Sequence, residues 1–169
     1  MTDSQSTRKS RPNLVALHIT RKWDNRFISL AKLVSTWSRD PSTGVGGVLT
    51  DSRNRIISVA FNGFPRRIND SPERLYNRAI KYSLTLHCEQ NLLIFAEKSV
   101  RGATCYTWPL PPCSQCASAL IQAGISRVVA PSPTPDLADR WGESIELAVM
   151  AMREAGVKVD ILDNTGGRL

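Results

Sequence analysis

Cys113 and Cys116 stand three residues apart behind a pair of prolines, in the stretch "PPCSQC". Upstream, "LHCEQN" carries His87 and, two residues on, Glu89. Each motif opens a segment of helical pattern, and a strand-like run, "ATCYTW" at 103–108, lies between them. If the two motifs serve one ion, the fold has to bring two helix starts together. Cys-x-x-Cys lets two thiolates on one helical turn bind a single tetrahedral zinc, and a histidine from a neighbouring helix supplies a third corner. The free N–H groups of a helix start favour thiolate there. Three protein ligands, His87, Cys113 and Cys116, leave the fourth corner for water, as in catalytic rather than structural zinc sites. Glu89 can then sit beside the metal without binding it and exchange protons with that water.

Two plainer readings compete with the metal. A redox pair of the thioredoxin type lies near a first βαβ unit and has no use for His-x-Glu upstream. A chance pair of buried cysteines leaves Glu89 unexplained. Cys88 and Cys105 read as core thiols, since the first faces away from His87 and Glu89 on its helix and the second lies inside a strand.

The totals fit a single domain. A chain of 169 residues with 41% hydrophobic content can bury a real core. Four cysteines make no disulfide scaffold, and the opening "MTDSQSTRKSRPN" is polar and basic with no apolar run behind it. A cytoplasmic protein with reduced thiols is expected, with no membrane span. The net charge of +7 suits a phosphate-bearing partner, although Arg8, Lys9 and Arg11 of the opening supply part of it.

Along the chain, 1–20 reads as a disordered basic tail, 21–163 as the folded domain and 164–169 as a frayed end. A helix is expected over 23–38, with Phe27, Leu30, Ala31, Val34 and Trp37 at core spacing and Asp24 as its cap. Strands at 45–51 and 55–63 flank the turn "DSRN". A long loop with one helical turn near 73–79 follows, then the helix at 87–99 and the strand at 103–108. The second motif opens a helix over 113–124 that Gly124 would close in a left-handed cap. "SRVVA", a long amphipathic helix to Gly156 and "VKVDIL" complete a β-α-β-α-β order. That order predicts an α/β/α sandwich around one sheet.

His-x-Glu followed by Pro-Cys-x-x-Cys is the zinc deaminase signature. From about Trp23 to Val129 the chain resembles the deoxycytidylate deaminases of the cytidine deaminase superfamily. The matching stretches are "WDNRFISLAKLVSTWSRDPSTGVGGVL", "IISVAFNGFPR", "HCEQNLLIFA" and "PPCSQCASALIQAGISRVV". The resemblance implies a three-layer fold with a five-stranded mixed sheet, one catalytic zinc (Zn2+) per subunit and a homo-oligomer, often a hexamer. It implies that His87, Cys113 and Cys116 hold zinc and that Glu89 shuttles protons. Water would add at carbon 4 of the cytosine ring as Glu89 protonates nitrogen 3, and ammonia would leave. Asn62, in an Asn-Gly-x-Pro loop, would help bind the nucleoside; a bare turn is the alternative.

Departures from the family pattern surround the base. Thr107 stands where the family carries tyrosine, Trp108, Pro109 and Leu110 replace the usual wall, and Ala130 stands where an aromatic is common. Trp108 is therefore a candidate for stacking on the base. Ser42 and Thr43, or Arg66 and Arg67, are candidates to face a 5′-phosphate, for which arginine offers a bidentate fork. The expected substrate is a deoxycytidine nucleotide, dCMP first, whose product feeds thymidylate synthesis. A nucleic-acid base deaminase such as a tRNA adenosine deaminase is the second reading, disfavoured because no aromatic-rich basic helix is present. A zinc-stabilised binding module without catalysis is the third.

Overall fold

The computed structural model describes residues 14–162, with side chains from Lys22 onward. In chain order the elements are α1 (Leu14–Ser35), β1 (Gly46–Thr50), β2 (Ile56–Phe61), α2 (Pro72–Tyr76), α3 (Arg78–Leu84), α4 (Cys88–Ile94), β3 (Thr104–Trp108), α5 (Ser114–Ala123), β4 (Arg127–Pro131), α6 (Pro135–Glu154) and β5 (Lys158–Leu162). Residues 1–13 and 163–169, where most of the expected tail and the frayed end fall, lie outside the described residues.

The strands join in the order β2-β1-β3-β4-β5. β1 runs antiparallel to β2 and β3, while β3, β4 and β5 run parallel. The change of direction follows from the connections. A five-residue connection joins β1 to β2, whereas α5 and α6 provide the long crossovers that parallel neighbours require. α1 covers one face, packing Phe27 and Ala31 on Val48, Tyr106 and Val129. α4, α5 and α6 cover the other with Cys88, Leu92, Ala117, Leu120, Ala148 and Met152. This is the three-layer α/β/α fold with a five-stranded mixed sheet that the sequence predicts.

β1 is buried at every residue because helices press on both its faces. "VGGVL" makes that possible. A Cβ on Gly46 would sit 2.2 Å from the Ala31 carbonyl oxygen and 2.3 Å from the Ser35 amide nitrogen of α1. A Cβ on Gly47, on the opposite face, would sit 2.7 Å from Cys88 Sγ and 2.8 Å from Leu92 Cδ1 of α4. Gly46→Ala is therefore expected to lower stability by about 2–3 kcal/mol, the overpacking range, because its obstacle is backbone that cannot swing aside. Urea unfolding of the variant reads this directly, and an unchanged midpoint would mean that α1 can withdraw at no cost.

Three expectations about the first half change. α1 starts at Leu14 rather than 23, within the stretch read as tail, and ends at Ser35. Asp24 is consequently no cap but a mid-helix residue, 3% exposed. Its carboxylate receives both Nη1 and Nη2 of Arg127 at 2.8 Å and the Tyr106 hydroxyl at 2.9 Å. Arg127 Nε also donates to Asp160 at 2.6 Å, so the network ties α1 to β3, β4 and β5. Burial, then the charge of Asp24, pushes the Tyr106 phenol well up. Trp37 lies beyond the helix, half exposed, with its ring edge-on to Phe61. In place of one helical turn near 73–79 there are two short helices, α2 and α3. Pro72 suits the first helical position of α2, and the Asn77 side chain caps α3 by accepting from the Ile80 amide.

Candidate active site

α4 and α5 begin where the two motifs stand. His87 is the residue before α4 and Cys113 the residue before α5, both with extended backbone. Cys116 follows in the first turn of α5 and Glu89 in the first turn of α4. Gly124 ends α5 at φ 83°, the left-handed cap that the sequence predicts and that only glycine adopts without strain.

Polar contacts fix both starts. The His87 amide donates to the Gln90 side chain at 2.8 Å. Before it, Leu86 pairs with Gly63 through two backbone hydrogen bonds, which sets the approach to His87 beside the Asn62 loop. Asn91 Nδ2 donates to the Phe61 carbonyl and Ser58 Oγ to the Leu92 carbonyl, tying α4 to β2. At the other start, the Ser114 amide donates to Ser144 Oγ of α6 at 3.0 Å. The site thus hangs on the sheet from one side and on α6 from the other.

His87 Nδ1 lies 3.5 Å from Cys113 Sγ and 3.4 Å from Cys116 Sγ, and the three ligand atoms lie within 4.8 Å of one another. A tetrahedral zinc with its usual bond lengths places nitrogen and sulfur ligands about 3.6 Å apart. The donor set and its spacing therefore fit a single ion, with His87 bound through Nδ1. The thiols are polarised against each other. The hydrogen bond from Cys116, helped by His87, draws Cys113 down to about 4, while the same bond, burial and Glu89 push Cys116 up. His87 is shifted upward, chiefly by its hydrogen bond with Cys113. Glu89 is 4% exposed, and burial raises its pKa, so its carboxyl holds a proton more readily than one in water.

Above these groups opens a cleft of about 690 Å³, its open mouth included. His87, Glu89 and Cys113 form part of its lining, with Asn62, Ser42 and Thr43 of the predicted set. Asn62 is also structural: its Oδ1 accepts from the Val45 amide at 2.8 Å and its Nδ2 donates to the Thr43 carbonyl at 3.0 Å. The amide that shapes this loop also lines the cleft.

Other predicted contacts lie elsewhere. Arg66 and Arg67 are exposed, Arg66 rests on the Phe95 ring along a separate groove, and neither lines the cleft. Trp108 does not line it either; its ring packs with the α1 cluster beneath the Lys32 ammonium at 4.9 Å. The aromatics at the cleft are Tyr82 of α3 and Trp141 of α6, and the Trp141 ring stands edge-on to His87 at 6.0 Å. Lys81, in the segment whose pattern reads as a loop, also lines the cleft. It is 4% exposed, and its Nζ donates to Asp40 at 2.9 Å and to Ser42 Oγ at 2.7 Å. All three come from segments, a supposed loop and a helix flank, where spacing alone gives no sign of a cleft. Cys88 and Cys105 are fully buried, as expected of core residues, and form no disulfide, and Cys88 Sγ donates to the Ala60 carbonyl.

Residues 21–132 match the model of the cytidine and deoxycytidylate deaminase zinc-binding region, about two thirds of the chain, including every residue of the cluster. The chain belongs to this family. An uncharacterized deaminase of the luxG 3′ region from Aliivibrio fischeri is 46% identical over 82% of the chain and 92% of its own length. Human deoxycytidylate deaminase is 32% identical over 64% of the chain, and the match spans 64% of its length. Among solved structures, dCMP deaminase from cyanophage S-TIM5, crystallised with dCMP and dUMP, superposes with a TM-score of 0.66 at 19% identity. That alignment covers 83% of this chain and 97% of the phage enzyme, and it bears on the fold. Within the deaminase family the zinc-binding region is the part in which His87, Cys113 and Cys116 stand. No helix among the described residues is long and apolar enough to cross a membrane.

Proposed function

We propose that the protein is a zinc-dependent hydrolase that converts dCMP and water to dUMP and ammonia. The observation that carries this reading is the convergence of His87, Cys113 and Cys116 beside a buried Glu89 at the wall of an open cleft. Its place in a family that contains deoxycytidylate deaminases supports the choice of a cytosine nucleotide. Bound to the three ligands, zinc would supply Lewis acidity that yields a water-derived nucleophile near neutral pH.

The chain's own residues do the rest. Glu89 takes the proton of the attacking water and delivers it to nitrogen 3 of the pyrimidine as carbon 4 becomes tetrahedral. It then moves a proton to the amino group, which leaves as ammonia when the carbonyl of uracil forms. Burial suits Glu89 to this shuttle, since a carboxyl whose pKa is raised is better able to carry a proton in both directions. Asn62 and Thr43 present polar atoms for the sugar, and Trp141 and Leu110 supply apolar walls. The same reading places the protein in the cytoplasm as a homo-oligomer, its product serving thymidylate synthesis.

The test is a panel: zinc-loaded protein with dCMP, dCTP, deoxycytidine and a tRNA anticodon stem-loop containing adenosine, with ammonia measured. Release from dCMP above all others is expected. Release from the stem-loop alone would replace this reading with a nucleic-acid deaminase.

A further inference from the structure

The family match stops at residue 132, yet the cleft does not. α6 begins at Pro135 and adds Arg140 and Trp141 to the wall. A second groove, lined by Arg78 and Tyr76 among others, shares Ser42, Lys81, Tyr82 and Arg140 with the cleft. The two cavities meet at those four residues. The groove's lining includes three cations, Arg78, Lys81 and Arg140, and no carboxylate. Beyond the junction, an anion meets Arg78, Lys81 and Arg140, of which Lys81 is paired with Asp40 and Arg140 with Asp136.

The two central cations are held differently. Lys81 is fixed, since Asp40 and Ser42 take two of its three ammonium donors in a nearly buried position. Arg140 is loosely held. Its Nη2 contacts Asp136 Oδ2 at 2.8 Å and Thr43 Oγ1 at 3.3 Å, its Nε reaches the Asp136 carbonyl at 3.3 Å, and the Asp136 side chain is 79% exposed. A surface pair of that kind contributes little, so an incoming phosphate can replace the carboxylate. Arginine then offers a planar fork to two phosphate oxygens, while Lys81 on the same groove has one ammonium donor left.

We propose that Arg140 of α6, with Lys81 on the same groove, seats the 5′-phosphate of a mononucleotide whose base lies over His87 and Glu89. The inference rests on the reading of the site as a nucleotide deaminase and assigns it a phosphate-selecting residue outside the segment that the family shares. It also moves that role away from Arg66 and Arg67, since Arg66 lies on another groove and neither lines this one. A mononucleotide is the ligand assigned, because the groove that carries these cations opens directly off the cleft.

The experiment measures binding of dUMP and of deoxyuridine to zinc-loaded protein by calorimetry, so that no turnover is needed. Wild-type protein is expected to hold dUMP about 10- to 100-fold more tightly than deoxyuridine, the range for a charged hydrogen-bonded contact. Arg140→Gln should cut that ratio about tenfold or more, and Arg140→Lys should cut it less. Arg140 lies at the surface, so unchanged circular dichroism and zinc content are the check on folding. A wild-type ratio near one overturns the proposal. So does equal weakening of both ligands by Arg140→Gln, or a single-stranded oligodeoxynucleotide that outcompetes dUMP. If no nucleotide is deaminated while dUMP still depends on Arg140, the phosphate seat stands and the reaction reading falls. If dCMP is deaminated and Arg140→Gln leaves the ratio intact, the reaction stands and the seat falls.

Discussion

Glu89→Gln is expected to lower the rate of dCMP deamination by about 10²–10⁴-fold, the usual contribution of a positioned general acid–base. Glutamine keeps the size and most of the polarity of the side chain but can neither accept nor release a proton. Metal content and unfolding midpoint should remain those of the parent, because the three candidate ligands are His87, Cys113 and Cys116, and Glu89 is not among them. The neutral amide also removes the cost of a buried carboxylate, so stability should hold or rise slightly. Kinetics with zinc measured on the same sample separate the two effects. A variant that loses zinc along with activity would make Glu89 a ligand, and one that keeps full activity would remove it from the chemistry. A binding module without catalysis would show neither change.

The second large effect concerns the fold. Asp24→Ala should destabilise the zinc-loaded protein by about 3–5 kcal/mol, the cost of breaking a buried ion pair from one side. Asp24 is 4% exposed at its side chain and Arg127 16%, so solvent screens neither well. The substitution strands two guanidinium donors and the Tyr106 hydroxyl at once. Asp160 keeps part of Arg127 satisfied, which places the expected value towards the lower end of the range. Denaturant unfolding gives the number, and Tyr106→Phe isolates the hydroxyl's share at about 1 kcal/mol. A loss below that for Asp24→Ala itself would mean that water reaches the pair.

These two residues show what the sequence discloses and what it withholds. The clustering of His87, Cys113 and Cys116 beside Glu89 is legible because the residue types and spacing that a metal site requires are local, and the helices that carry them are marked by pattern and, at the end of α5, by the left-handed cap at Gly124. The sheet is legible for a similar reason, since strands alternate with crossover helices. Asp24 is different. Its role comes from Arg127, a hundred residues away, and no local pattern announces such a pair. The early start of α1 compounded this by turning a mid-helix residue into an apparent cap.

The walls of the cleft follow the same logic. Trp108 and Trp141 are both tryptophans near the motifs in pattern, but β3 turns the first towards α1 and α6 turns the second towards His87. Arg66 and Arg67 look like phosphate readers because they follow the Asn62 loop, yet proximity in sequence does not carry them into the cleft. Lys81 was hidden in a segment of mixed polarity. Only the packing of α3 on the loop at 40–43 reveals a buried ammonium there.

The most direct test of the central claim is deamination of dCMP by zinc-loaded protein in ¹⁸O-labelled water, following dUMP by mass spectrometry and ammonia in parallel. The account predicts one zinc per chain, ammonia and dUMP in equal amounts, and one ¹⁸O at carbon 4 of the product. Protein with one zinc per chain that yields neither dUMP nor ammonia from dCMP would contradict it.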